Sequence, residues 1–523
     1  MGIPRAQPED RGQPAGPGFV RGSRHWFFAI AIAGIAFLFR LIPVLRGGGL
    51  FGLGNYDDGV YYAAGTAIAH GSLPYRDFLL LHPPGLPLLL TPFALLAQLT
   101  NDSYGFAAAR VAWMLLGAVN AVLIWRILRP IGLISALFGA LSYAVFYPAV
   151  YADHTTLLES PATTALLVAI LLLEPLSNTG YLSRTRGFAV GAVLGITVAI
   201  KIWGVVTVVI VLGWLLLIRR FRAALQVAIG CAAMAGLICL PFFAAAPMAM
   251  WHQLVRDQIV RHASGGVTLL GRLDEIVGLG IAGRPHASVT AIAVIALLCC
   301  AGLAWTNREA RLPVVLLLGQ GAFLLVTPIW FRHYAGFTAG PIALVIGAAI
   351  GRLIALLRPK PARVAITIAV AGAVLVYASG WSDIHFGRRF PDRFKPLAAS
   401  ATGCVTTDDP TALVETNTLS RNLSRGCRFI ADLGGHYHDL AAASINTVSR
   451  NKNKSFQRLA LTYLSTGSVT ILIRFSAGQG FNATTSAILD QWPLLAHSGK
   501  YQMRRPVALG QSTVAGSLTP QHR

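Results

Sequence analysis

Two adjacent carboxylates and a nearby aromatic, Asp57, Asp58 and Tyr61 in NYDDGVYY, precede a His-Pro-Pro-Gly at residues 82–85, all between apolar runs. Neighbouring carboxylates repel one another, and apolar flanks disfavour ionisation. One member of such a pair is therefore held above the ordinary carboxylate pKa and suited to take a proton from a hydroxyl. The same two residues also fit a simpler task, capping the helix that begins at GVYYAAGTAIAHG.

A second polar island, YADHTTLLESP, holds Asp153, His154 and Glu159. A third set is basic: Lys201 between two apolar runs, Arg256 and Arg261 in WHQLVRDQIVRHASGG, and Arg332 with His333 in FRHY. Guanidinium forks match phosphate oxygens, so this set suits a phosphate or pyrophosphate at headgroup depth. Anionic lipid headgroups would satisfy the same groups, and each charge taken singly also fits a snorkelling anchor at a helix end. His436, His438 and Asp439 in GGHYHD read as polar surface rather than ligands, so no metal site is assigned, although a divalent cation stays open. The sequence contains no Walker motif, dinucleotide fingerprint or nucleophile elbow, which argues against a nucleotide-driven enzyme.

Positioning such residues requires a scaffold, and composition says which kind. Of 523 residues, 54% are hydrophobic and only 12% charged, the balance of a polytopic membrane protein. A formal charge of +22 raises nucleic acid as a partner, but the Lys and Arg are spread in short clusters between apolar segments and read as topology signals instead. Residues 1–24, rich in Pro, Gly and Arg, read as a disordered cytoplasmic tail. HWFFAIAIAGIAFLFRLIPVL then reads as a retained first helix, because it exceeds a signal-peptide core and lacks a small-residue cleavage site.

A bilayer core needs roughly 20 apolar residues per helix, which gives about 11 spans. They fall near 25–45, 104–128, 131–150, 157–175, 187–201, 203–218, 223–245, 288–305, 312–330, 335–357 and 364–381. Every second loop is basic, for example Arg126 and Arg129, Arg219 to Arg222, and Arg358 to Arg363. The positive-inside rule then places the N-terminus in the cytoplasm of a cell (inner) membrane protein. The acidic and basic islands all fall on the outer side. PPGLPLLLTPFALLAQL, with four prolines, is expected to be an interfacial or re-entrant helix within the first outer loop, 46–103. From 382 to 523 polar residues return, with short strand patterns in LVET, SVTILIRF and YQMRR, so a small extracytoplasmic α/β domain is expected there. Cys404 and Cys427 would lie in that oxidising space and form a disulfide, whereas the other four cysteines sit in apolar runs as small hydrophobes.

The acidic pair, the aromatic and the His-Pro-Pro motif resemble the GT-C superfamily of membrane glycosyltransferases. The resemblance is to the protein mannosyltransferases that use dolichyl-phosphate-mannose, the lipid A aminoarabinose transferases and the bacterial family 39 and 83 enzymes. Asp58 stands where the mannosyltransferases have Glu, and Gly85 where they have Leu. The resemblance implies a GT-C-like domain over 25–381. It also implies an enzyme that moves a sugar, mannose or arabinose, from a polyprenyl phosphate to an extracytoplasmic glycan, lipid or protein, with inversion. Asp57 would then be the general base, with Asp58 beside it. Tyr61, His82, Asp153, His154 and Glu159 would face donor or acceptor. Lys201, Arg256, Arg261, Arg332 and His333 would stabilise the leaving phosphate. The alternative is a lipid-linked sugar flippase, which would place its ionisable groups at mid-membrane depth in broken helices.

The assigned sides predict that Cys404 and Cys427 resist an impermeant maleimide until a reductant is added; labelling of unreduced protein from outside would show free thiols.

Overall fold

The computed structural model describes residues 20–260, 267–280, 286–357, 359–443, 449–475 and 480–507. Its first two-thirds form a helical bundle: α1 (Val20–Gly47), α2 (Tyr56–Ala69), α3 (Gly85–Leu99), α4 (Asp102–Leu128), α5 (Leu133–Val145), α6 (Tyr147–Asp153), α7 (Glu159–Thr179), α8 (Arg184–Ile200), α9 (Gly204–Leu217) and α10 (Phe221–Ala245). Further long helices cover Ala287–Trp305, Arg311–Val326, Ala339–Leu356 and Lys360–Ser379.

Among the described residues eight helices are long and apolar enough to cross a membrane, and nine if α5 and α6, bent by 58° at their junction, count as one span. The bend has a local cause: Phe146 is extended and Pro148 opens α6, where its missing N–H costs nothing. The other two expected spans are the helices α8 and α9, with 17 and 14 residues. At 1.5 Å per residue these reach only about 25 and 21 Å, short of a bilayer core, so the expected 11 is not met by length. Helix α3, 15 residues long, is likewise below span length. It packs against α2 and α4.

The His-Pro-Pro-Gly turn shows why a glycine stands at position 85. A β-carbon there would lie 2.5 Å from the Ala199 carbonyl oxygen, so only glycine lets α3 begin against the end of α8. That close approach sets the start of α3 against Ala199 and Ile200, just before Lys201 caps α8.

The C-terminal part contains a four-stranded sheet of β3 (Val405–Thr407), β4 (Val469–Leu472), β5 (Leu494–Ser498) and β6 (Tyr501–Arg504) in the order β3-β4-β6-β5. The β3–β4 pair is parallel and the other two pairs are antiparallel. Cys404 and Cys427 are joined in a disulfide, with Cα atoms 5.8 Å apart.

This part docks directly on the loop after α1. Strand β1 (Gly52–Leu53) pairs antiparallel with β2 (Arg388–Arg389). Asp102 accepts from the Ser420 backbone N–H and hydroxyl, and Asn417 Oδ1 accepts from Ser103 N at 3.0 Å. One apolar core runs through the joint, combining Tyr61, Tyr62 and Leu86 with Phe394, Leu413 and Ile471.

Gly59 lies at a close approach, where a β-carbon would collide with the Thr411 side chain and sit 2.9 Å from its backbone nitrogen. Gly59→Val is expected to cost about 1–3 kcal/mol through overpacking and to lower the melting temperature in detergent. An unchanged melt would mean that the contact is not close-packed in solution.

Candidate functional site

Helix α2 begins with a side-chain cap: Asn55 Oδ1 accepts from Asp57 N at 3.1 Å. The cap is therefore Asn55, and Asp57 and Asp58 fill the first turn, where the helix dipole favours carboxylates. The two acids then part company. Asp58 is fully buried; its Oδ2 accepts from Arg110 Nε at 2.9 Å and Nη2 at 2.6 Å. Its Oδ1 accepts from Thr156 N at 3.0 Å and Thr156 Oγ1 at 2.6 Å. Arg110, equally buried, donates through Nη1 to the carbonyls of Gly49, Leu50 and Gly52 at 2.6, 3.0 and 3.0 Å. It also lies 3.8 Å from the Phe106 ring centroid. With both oxygens committed, Asp58 is a strut, which corrects its expected share in catalysis.

Asp57 is only half-buried. It lies within electrostatic reach of Tyr61 and Tyr151. Burial pushes the Tyr61 phenol well above its ordinary pKa, and the charges of Asp57 and then Glu159 add to the shift. His82 meets Tyr61 edge to face at 5.6 Å, and its carbonyl accepts from the Tyr75 hydroxyl at 2.7 Å.

The second acidic island divides in the same way. Asp153 is buried against Arg40, whose Nη2 lies 2.7 Å and Nε 3.0 Å from its Oδ2. An arginine enclosed within the first span needs a counter-charge, and Asp153 supplies it. It is not among the residues lining the cavity described below. Glu159 pairs with Lys201 at 2.5 Å, and His333 Nε2 lies 3.9 Å from the same oxygen. The Lys201 ammonium sits 4.1 Å from the Trp203 ring and 4.3 Å from that of Tyr334. This lysine is neutralised and enclosed, so it and His333 form a polar floor behind Tyr61 rather than an open phosphate site. Arg256 is exposed on the turn His252–Arg256 and is not among the residues lining the cavity. Arg261 lies outside the described residues.

A cavity of about 540 Å³ opens beside the start of α2. Its walls come from Asn55 and Tyr56, from Tyr147 and Tyr151 of α6 and His154 that caps it, from Arg332, and from the loop 383–387. His154 stacks on Phe386 with ring centroids 4.0 Å apart and contacts the Tyr151 carbonyl through Nδ1 at 2.7 Å. Burial pulls its pKa down to about 4, so the ring is neutral near pH 7. Arg332 donates to the Tyr147 hydroxyl at 3.3 Å and keeps Nε 3.6 Å from Glu275.

The cavity also takes Arg474 from the C-terminal part, with Asp383 and His385 from the loop. Sequence reasoning missed all three, as well as Arg110 and Arg40. The one signal available was an arginine closing the apolar strand pattern SVTILIRF. Among the described residues no group of three or more His, Cys, Asp or Glu side chains gathers to hold a metal; His436 and His438 lie on the helix Leu433–Ala443.

The sequence model of glycosyltransferase family 87 matches residues 80–328. A comparison with curated protein sequences yields no match. Among solved structures, apo ArnT from Cupriavidus metallidurans is similar over 93% of this chain and 99% of that one, with a TM-score of 0.58 and 14% identity. ArnT bound to undecaprenyl phosphate gives 0.55 at 13% identity, over 95% of this chain and 100% of that one. The archaeal oligosaccharyltransferase AglB from Archaeoglobus fulgidus, in complex with an inhibitory peptide and a dolichol-phosphate, gives 0.55 at 12% identity over 87% and 70%. This chain has the GT-C glycosyltransferase fold.

Within that GT-C frame the Asp58–Arg110 pair carries a third charge. Glu415 is fully buried, with Oε1 3.9 Å from Arg110 Nη1 and no hydrogen bond to either oxygen. Burial raises its pKa to about 7, against the pull of Arg110 and Lys395 and with the help of Asp58. A carboxyl that holds its proton more tightly when folded contributes stability below its unfolded pKa, and that contribution is lost as pH rises through the folded value. Wild-type stability should therefore fall between about pH 4.5 and 7 on this account, and Glu415→Gln should flatten that slope in melts taken across the range. Parallel profiles for the two proteins would remove Glu415 as the cause.

Proposed function

We propose that this protein transfers a sugar from a polyprenyl phosphate to an acceptor hydroxyl at the outer face of the cell membrane. The observation that carries the reading is the separation of the two acids on α2. Asp58 is locked to Arg110, and Asp57, one residue earlier, is half-buried within electrostatic reach of Tyr151, which lines a polar cavity together with Arg332. The solved neighbours support it, since ArnT was captured with undecaprenyl phosphate and AglB with a dolichol-phosphate. The alternation of basic loops supports an N-terminus in the cytoplasm and a site on the opposite side.

In this mechanism the acceptor oxygen attacks the anomeric carbon from the face opposite the phosphate. The bond from that carbon to the phosphate oxygen breaks, the configuration inverts, and the acceptor proton passes to the Asp57 carboxylate. Negative charge grows on the departing phosphate, where the Arg332 guanidinium stabilises it. Neutral His154 and the tyrosines of the wall offer hydrogen bonds to the sugar without competing for the phosphate. Tyr61 and His82, backed by Glu159, Lys201 and His333, hold the turn from which Asp57 acts. The sugar is mannose or arabinose, and the acceptor an extracytoplasmic glycan, lipid or protein.

Asp57→Asn should insert and melt like the wild type yet lose roughly 10²- to 10⁴-fold in transfer from a radiolabelled polyprenyl-phosphate sugar, the usual worth of a positioned base. Full transfer by that variant would defeat the assignment.

A further inference from the structure

Two arginines from different parts of the chain meet the same cavity in matching settings. Arg332, at the start of a turn that leads into the helix Ala339–Leu356, holds Nε 3.6 Å from Glu275, and its guanidinium carbon lies 6.0 Å from the Tyr151 ring. Arg474, just past β4, holds Nε 3.4 Å from Asp409, and its guanidinium carbon lies 5.1 Å from the Tyr56 ring. In each case a carboxylate restrains the inner nitrogen and a tyrosine supports the plane. The side chains keep 49% and 34% of their surface accessible, unlike the enclosed Arg40 and Arg110 at 0%. The remaining charged or titratable wall groups are the tyrosines, the two histidines His154 and His385, and Asp383 on the loop.

The backbone that carries Arg474 is itself fixed. Asp408, fully buried, accepts from Ile473 N at 2.6 Å, Arg474 N at 2.9 Å and Phe475 N at 2.6 Å. Its neighbour Asp409 also accepts from Thr411 N at 3.0 Å. The sequence TTDDP at 406–410 is thus a seat for one arginine: the first acid holds the main chain and the second holds the guanidinium. On the other side, Tyr56 is pinned by its hydroxyl, which donates to Asp432 at 3.0 Å and accepts from Gly434 N at 2.9 Å. A cation held in this way loses little freedom on meeting an anion.

We infer that Arg474 is a second phosphate-binding residue of the cavity, so that the lipid-borne phosphate is gripped between Arg332 of the helical bundle and Arg474 of the C-terminal part. This deepens the proposed function and rests on it. The C-terminal part then completes the donor site, and the directing groups Asp408 and Asp409 act through Arg474 without touching the phosphate.

The test is binding of a short-chain polyprenyl phosphate to full-length protein in detergent, read by thermophoresis, beside the matching neutral polyprenol and inorganic phosphate. Arg474→Gln should weaken the polyprenyl phosphate about 10- to 100-fold, the worth of one charge-assisted hydrogen bond pair, and leave polyprenol binding unchanged. Arg474→Lys should fall between the two, because it keeps the charge and loses the fork. Arg458→Gln, which removes an exposed charge of the same C-terminal part, should bind like the wild type. Equal weakening of phosphate and polyprenol, or none in Arg474→Gln, overturns the inference. If Arg332→Gln weakens binding while Arg474→Gln does not, only this inference fails. If the wild type does not distinguish polyprenyl phosphate from polyprenol, the underlying function fails as well. Loss of inorganic phosphate binding in parallel with the lipid assigns the effect to the phosphoryl group, whereas lipid binding that ignores Arg474 assigns it to the chain.

Discussion

The end of the bundle that meets the C-terminal part is organised by one buried ion pair, Asp58 with Arg110. Taking both charges out of water is costly, and their attraction repays that cost only when the geometry is good and the remaining polar atoms are satisfied. Here three carbonyls of the segment Gly49–Gly52 and two donors from Thr156 complete the set. The pair therefore joins four separate stretches of chain: the segment after α1, the first turn of α2, the middle of α4 and the loop before α7. Few other arrangements would leave neither charge unpaired, and that fixes the direction in which α2 enters.

The same physics sorts the other charges. Arg40 with Asp153, and Lys201 with Glu159, are enclosed and mutually neutralised, and they hold helices together. Arg332 and Arg474 each have a carboxylate near Nε, and Arg332 also meets the Tyr147 hydroxyl, yet both keep part of the side chain accessible. A cation meant to receive a ligand has to keep solvent access, because full desolvation would demand a permanent partner. Accessibility, more than charge or position along the chain, separates the arginines that line the cavity from those that support the frame.

Much of the architecture was legible from composition and period. Apolar runs marked the helices, and strand patterns such as SVTILIRF marked part of the four-stranded sheet. Span length was harder to read, because α8 ends at Ile200 and α9 starts at Gly204, a break that no hydropathy window records. At the site, the acidic pair was visible, but the roles of its two members were not: nothing in DDGVY says that Arg110, 52 residues away, would claim the second acid. Asp153 and Lys201 misled for the same reason, since a sequence shows that a charge exists without showing what lies opposite it. Arg474 was the reverse case, an ordinary residue at the end of a strand whose importance comes only from three-dimensional neighbours.

The pairing of β1 with β2 carries a consequence for how the protein is made. Gly52 emerges from the ribosome early, whereas Arg389, its partner, appears only after the last long helix has been synthesised. Until then the segment after α1 has no strand to rest on, and α2 lacks the surface that presses on Gly59. Contacts of such long sequence separation form late. Insertion of α1 into the membrane would thus come before the packing that fixes the acidic turn of α2.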